Sequence, residues 1–335
     1  MEIVFRFYKN YGVLLQKKKK KKKKKTEIRS LCAMNETDRL DTEQVNSRSY
    51  DLDQMTSEEI LRVMNEEDGQ VPAAVGRHLA EIAQAVDCIA DALGQGGRLF
   101  YVGAGTSGRL GVLDAYECPP TFGTSPETVQ AVLAGGSHRA QADESAEDDA
   151  DQGAADLRAR AVGASDVVVG LAASGRTPYV LGALAAAKEA GARTIGLSCS
   201  AGSPLGRMAD IAIEVPVGPE VLTGSTRLKA GTAQKLVLNM LSTAAMVKLG
   251  KAYRNFMVDM QPSNSKLRQR AVRIVRSATG EEDEAAVRAL EQCGYNVKTA
   301  IVALLTESDA EASARWLEQA GGRVRDAIRL AGANG

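Results

Sequence analysis

Residues 98–121 read RLFYVGAGTSGRLGVLDAYECPPT, and the fold follows from this stretch. Leu99-Phe100-Tyr101-Val102 is a short apolar run of the kind that makes a buried strand. Gly103-Ala104-Gly105-Thr106-Ser107-Gly108 follows, a turn built from small residues, whose glycines permit positive φ and close approach of the backbone to a ligand. Arg109 to Asp114 then reads as the first turns of a helix, which Glu117-Cys118-Pro119-Pro120 is expected to end, since proline cannot continue a helical hydrogen-bond ladder. A strand, a tight turn and a helix N-terminus together converge free N–H groups and the positive end of a helix dipole on one point. The Thr106 and Ser107 hydroxyls add donors there, so the turn predicts a phosphate cradle.

Outward from this unit the pattern repeats. Val129 to Ala134 predicts a second strand, closed by Gly135-Gly136, and Asp143 to Asp151 an acidic, helix-like run. Asp166 to Ala173 (DVVVGLAA) predicts a third strand, apolar throughout and so covered on both faces. It runs into Ser174-Gly175-Arg176-Thr177-Pro178 and a helix through Ala190. Ser174-Gly175-Arg176 echoes Ser107-Gly108-Arg109, and in a parallel sheet such loops gather at the carboxyl edge of the strands. Thr194–Ser198 and Ile211–Val215 give two more strands. Residues 223–232, TGSTRLKAGT, form a third loop of small hydroxyl residues with two cations ahead of a long helix to about Leu249. Strands alternating with helices predict an α/β fold: a doubly wound, mainly parallel five-stranded sheet. Upstream, Thr56-Ser57-Glu58-Glu59 opens a capped helix. From Val75 the apolar positions Leu79, Ile82, Val86, Ile89 and Leu93 predict one amphipathic helix, ended by Gly94. Beyond Pro262, short helical patterns stopped at Gly280, Gly294 and Gly321-Gly322 predict a small helical bundle.

Composition sets limits on partners. The chain has 335 residues, 44% hydrophobic and only 4% aromatic, so its core is aliphatic. Formal net charge is zero, but residues 1–33, with nine consecutive lysines at Lys17–Lys25, hold 12 of the 42 basic and 2 of the 42 acidic residues. The rest keeps 30 basic and 40 acidic residues, a net of −10. An acidic body argues against a nucleic-acid partner, and no membrane partner is expected. The N-terminal segment reads as a basic targeting arm, an anchor to an anionic surface, or a translated homopolymer run ahead of a true start at Met34; the last is the favoured expectation. Five widely spaced cysteines without a CxxC fit free thiols in a reducing compartment. Two histidines, His78 and His138, leave no His-rich metal site and disfavour a Ser-His-Asp triad. Gly103-x-Gly105-x-x-Gly108 also matches the dinucleotide fingerprint, but the second strand ends in Leu133-Ala134-Gly135-Gly136, without the acidic residue that binds a ribose. Three hydroxyl-rich loops suit a small phosphorylated sugar better than a nicotinamide cofactor.

The segments GAGTSGRLGVLDAYECPPTFG, VVGLAASGRTPYV and TGSTRLKAGTAQKLVLNMLSTAAM resemble the N-acetylmuramic acid 6-phosphate etherases of the sugar-isomerase (SIS) fold family, from about Thr42 to the C-terminal bundle. The resemblance implies a cytoplasmic carbon–oxygen lyase, homodimeric and without metal or redox cofactor, that releases D-lactate from the sugar phosphate in cell-wall amino-sugar recycling. It implies two glutamates: Glu117, from the ECPP segment, as principal acid/base, and Glu147, from the acidic run, as its assistant, with Glu144 the rival for the second position. By residue type alone, Glu117 reads as a solvated helix end and the acidic run as a solvated face. The expected substrate ligands are Thr106, Ser107, Ser174, Thr177, Ser225 and Lys229. The expected division is an extension over residues 1–33, an N-terminal helical segment over 34–88, an SIS domain over 89–251 and a bundle over 252–335. A sugar-phosphate-sensing regulatory protein and a sugar-phosphate isomerase are the alternatives, because fold alone does not fix function.

Overall fold

The computed structural model describes residues 41–136, 144–262 and 264–333; the extension over residues 1–33 and His138 lie outside the described residues. Five strands, β1 (Leu99–Gly103), β2 (Val129–Leu133), β3 (Val167–Leu171), β4 (Arg193–Ser198) and β5 (Ile211–Glu214), form one sheet in the order β2-β1-β3-β4-β5. Every pairing is parallel, with Leu99 opposite both Val129 and Val167. The sequence patterns named each of these strands. Side chains along a strand alternate between faces, and the two faces bury separate clusters. Leu99, Tyr101, Val167, Val169 and Leu197 pack on one side; Phe100, Val102 and Val168 pack on the other with Leu157, Tyr179, Val180 and Leu184.

The first cluster is covered by α2 (Val71–Gly76), α3 (Leu79–Gly94), α4 (Gly105–Phe122) and α8 (Lys229–Lys248), the second by α5 (Ala150–Arg158), α6 (Pro178–Glu189) and α7 (Pro204–Met208). Ahead of them, α1 (Ser57–Asp68) starts at the Thr56 capping box: Glu59 N–H donates to the Thr56 hydroxyl, and the Glu59 carboxylate accepts from Thr56 N–H. Two expectations are corrected. The amphipathic run from Val75 is two helices, broken at Arg77-His78, and Leu79 is exposed rather than part of the buried stripe. The helix after β1 begins at Gly105 and passes through Pro119 and Pro120 to end at Gly123, whose N–H donates to the Pro119 carbonyl. Proline's fixed φ is compatible with a helix; what the two prolines remove is two N–H donors and the two hydrogen bonds those would make, and the chain turns only where Gly123 takes a left-handed conformation.

After α8 come a two-residue-per-strand hairpin, β6 (Ala252–Tyr253) with β7 (Phe256–Met257), and five helices, α9 (Ser265–Thr279), α10 (Asp283–Gln292), α11 (Val297–Thr306), α12 (Ala310–Gln319) and α13 (Val324–Ala333). They share a core of their own around Tyr253, Val275, Leu290, Ile301 and Leu317. The hairpin has no counterpart in the sequence reading, because four strand residues carry too little periodicity to register. Among the described residues, no helix is long and apolar enough to cross a membrane.

Candidate active site

In a sheet ordered β2-β1-β3-β4-β5 the chain's winding reverses between β1 and β3, and that crevice at the carboxyl ends of the strands is where ligands bind in such folds. The loop after β1 and the loop after β3 meet there. With the Gly224–Arg227 loop ahead of α8 they enclose a cavity of about 400 Å³, lined by Thr106, Ser107, Ser174, Thr177, Ser225 and Thr226 and by the charged residues Glu43, Arg109, Glu147 and Arg227. The glycines of the first turn are required by distance. A Cβ on Gly103 would lie 2.6 Å from Gly108 Cα, and one on Gly105, whose φ is +52°, would lie 2.8 Å from Glu147 Oε1. The Glu147 carboxylate is therefore packed against the backbone of the turn.

The cradle expected after β1 has the features of an anion site. The N-cap of the 18-residue helix α4 is Ala104, which has no side chain to satisfy the first helical N–H groups, so these and the positive dipole end remain available to a ligand. Ser107 donates its hydroxyl proton to Gln234 Oε1 at 2.8 Å in a buried contact, which fixes its oxygen. Ser174 Oγ accepts from Arg176 N–H at 3.3 Å. The third loop works differently. The N–H groups of Lys229 and Ala230 donate to the two oxygens of the fully buried Glu220 carboxylate, both at 3.0 Å, so the α8 terminus is capped from within and contributes hydroxyls and Arg227, not free amides.

Of the expected ligands, Thr106, Ser107, Ser174, Thr177 and Ser225 line this one cavity together with Glu147. Lys229 does not: its ammonium is 1% exposed and pairs with Glu67 at 2.5 Å, inside the protein. A cation at a helix start reads the same in sequence whether it faces a ligand or a buried carboxylate. Glu117 does not line the cavity either. It is exposed on α4, twelve residues past Gly105 and so about 18 Å along the helix. It borders a second cavity of about 350 Å³ between α4 and α8, with Asp114, Lys235, Asn239 and Ser242. Glu43 was missed: in sequence it sits in a polar stretch with no pattern to mark it.

Asp114, beside Glu117, is buried and accepts hydrogen bonds from the Tyr101 hydroxyl (2.9 Å) and Ser242 Oγ (3.1 Å). Burial dominates, pushing its pKa up to about 6. Because the folded value lies above the unfolded one, the folded state holds the proton more tightly. Stability contributed by this group is present below about pH 4 and is lost as pH rises to about 6. A wild-type minus Asp114→Asn comparison of denaturant stability, taken from pH 4 to pH 7, is expected to show a wild-type decline on the order of 2–3 kcal/mol that the variant lacks.

A parallel sheet with this strand order and a hydroxyl-lined rim at its winding reversal defines an SIS-type domain. Residues 150–244 match the SIS domain family, residues 81–188 the N-terminal SIS domain of glucokinase regulatory protein, and residues 254–315 that protein's C-terminal lid domain. The chain is 58% identical over 271 residues to an N-acetylmuramic acid 6-phosphate etherase of Symbiobacterium thermophilum, covering 81% of this chain and 90% of that protein. It is 56% identical over 269 residues to the etherase of Oenococcus oeni, covering 80% and 91%. Among solved structures it is similar to a phosphoheptose isomerase from Francisella tularensis, with 19% identity, a TM-score of 0.46, and coverage of 58% of this chain and 100% of that one. The chain belongs to the N-acetylmuramic acid 6-phosphate etherase family.

Proposed function

We propose that the chain is a lyase that cleaves the D-lactyl ether of N-acetylmuramic acid 6-phosphate, giving N-acetylglucosamine 6-phosphate and D-lactate, in the cytoplasm. The observation that carries the reading is the Glu147 carboxylate held against the Gly105 turn of an anion-binding rim, in a chain of this family. The phosphate sits on the α4 N-terminus and the Thr106, Ser107, Ser174, Thr177 and Ser225 hydroxyls. In the open-chain sugar the C2 proton is α to the C1 aldehyde and is removed as an enolate forms. The C3–O bond then breaks, the lactyl oxygen takes a proton, and an unsaturated aldehyde remains. Water adds at C3 and a proton returns to C2, so the sum is substrate plus water to sugar phosphate plus lactate. Glu117 takes the C2 proton and passes it to the leaving oxygen, and Glu147 takes a proton from the water and returns it to C2. Positioned proton transfers of this kind contribute ~10²–10⁴-fold each.

This chemistry needs Glu117 at a rim that its own chain holds about 18 Å away along α4. We propose that a second copy brings it. Leu113 (52% exposed) and Tyr116 (68% exposed) give α4 an apolar outer face next to Glu117, suited to an isologous interface. A two-fold axis crossing antiparallel α4 helices at Leu113 sets the partner's Glu117 level with Arg109, which lines the cavity. On the separate buried cores, we assign the bundle to residues 252–335 and the sugar-phosphate domain to the chain before it; the expected boundary between 88 and 89 lies inside α3, and residues from Val71 on share the core of the sheet.

The test is to incubate the protein with N-acetylmuramic acid 6-phosphate and assay D-lactate. Release is the expected result. The matches to domains of glucokinase regulatory protein favour a second reading, a sensor, which binding without turnover would support. Ketose–aldose exchange without lactate would support an isomerase.

A further inference from the structure

Glu43 lines the rim cavity from a segment that precedes the sheet by more than fifty residues. That segment is a strap laid across the loop leading to α8. Asn46 Nδ2 donates to the Pro219 carbonyl at 3.1 Å, and Ser49 Oγ donates to the Val221 carbonyl at 2.7 Å. Arg48 Nη1 donates to Glu67, the same carboxylate that holds Lys229. Thr42, next to Glu43, is 1% exposed. The strap is therefore held on either side of Glu43 in the chain, by buried Thr42 before it and by the Asn46 and Ser49 hydrogen bonds after it, and Glu43 stands over Gly224, where an added Cβ would come within 3.6 Å of its Oε2. Among the described residues its carboxylate receives only a long hydrogen bond from the Thr42 hydroxyl, at 3.5 Å, which leaves its acceptor capacity to the cavity.

An ionised carboxylate only accepts hydrogen bonds and repels a phosphate. In a site built for an anion, a carboxylate outside the proton transfers has a use toward a neutral donor on the same ligand. We infer that Glu43 is a third carboxylate of the site, one that accepts a hydrogen bond from a hydroxyl or amide N–H of the bound sugar and so selects a phosphorylated amino sugar over phosphate alone. The inference rests on the sugar-phosphate reading above and adds a specificity residue to it; Glu43 moves no proton in the reaction.

The test is calorimetric binding of two probes, N-acetylglucosamine 6-phosphate and inorganic phosphate, to the full chain and to Glu43→Ala and Glu43→Gln variants. A hydrogen bond to a charged group carries enough free energy that Glu43→Ala is expected to weaken sugar-phosphate binding roughly 10- to 100-fold, with Glu43→Gln, which keeps one acceptor oxygen, losing less. Phosphate binding is expected to stay the same or tighten, since a repelling charge has gone. Melting temperature should not move, because Glu43 is exposed. Parallel losses for both probes, or no loss for either, would overturn the inference. The binding comparison needs no turnover, so a wild-type protein that releases no lactate counts against the etherase reading while Glu43 is still decided by the two probes.

Discussion

Glu117→Gln is expected to lower the rate of lactate release by about 10²–10⁴-fold and to leave the affinity for N-acetylglucosamine 6-phosphate within about twofold of wild type. The lactyl oxygen leaves as an alkoxide unless a proton reaches it, and a carboxamide cannot deliver one. Gln matches Glu in shape, and position 117 is exposed on α4, so neither folding nor the cradle at Gly105–Ser107 is disturbed. Steady-state kcat on the muramic substrate together with calorimetry on the product checks both halves. Turnover near the wild-type rate removes Glu117 from the reaction; lost product binding makes it a ligand instead of an acid.

Lys229→Met is expected to cost about 3 kcal/mol or more of unfolding free energy, read from the denaturant midpoint. The ammonium is 1% exposed and lies 2.5 Å from Glu67, itself 4% exposed. Burial pushes the Glu67 carboxyl up, but the hydrogen bond and charge of Lys229, then hydrogen bonds from Asn46 and Arg48, outweigh it, and the net shift is downward. The sign follows: a carboxylate lowered in the folded state stabilises above its unfolded pKa, and that contribution is lost as acid takes pH down through the folded value. Removing Lys229 leaves Glu67 with Asn46 and with Arg48, whose side chain is 44% exposed. The double variant Lys229→Met with Glu67→Leu should regain much of the loss, because an apolar pair carries no stranded charge. A Lys229→Met protein of unchanged stability but weakened phosphate binding would return Lys229 to the list of ligands.

The sheet was legible because each strand is a short apolar run bounded by glycine or a hydroxyl loop, and the two-sided burial of Val167–Leu171 shows in its unbroken hydrophobicity. The cradle was legible for a related reason: few residues other than glycine fit where Gly103 and Gly108 touch. What sequence does not carry is direction. Thr106 and Lys229 each open a helix beside hydroxyl residues, yet one faces the cavity and the other faces Glu67. Pro119-Pro120 reads as a stop, and only the position of Gly123 shows where the helix turns out of its axis. Glu43 enters the site through the Asn46 and Ser49 contacts with Pro219 and Val221, each more than 170 residues away in the chain, a separation that no local pattern encodes.

The claim that most depends on geometry is that one chain's phosphate rim and Glu147 work with the partner's Glu117. It is tested by co-expressing Glu117→Gln and Glu147→Gln chains with different tags and purifying the mixed dimer. Each parent alone is expected to release lactate at a rate lowered by about 10²–10⁴-fold. A site assembled from both chains leaves one intact site and one doubly altered site in the mixed dimer, and about half of wild-type lactate release returns. Mixed dimers as slow as their parents, or a protein that remains monomeric while releasing lactate, would contradict it.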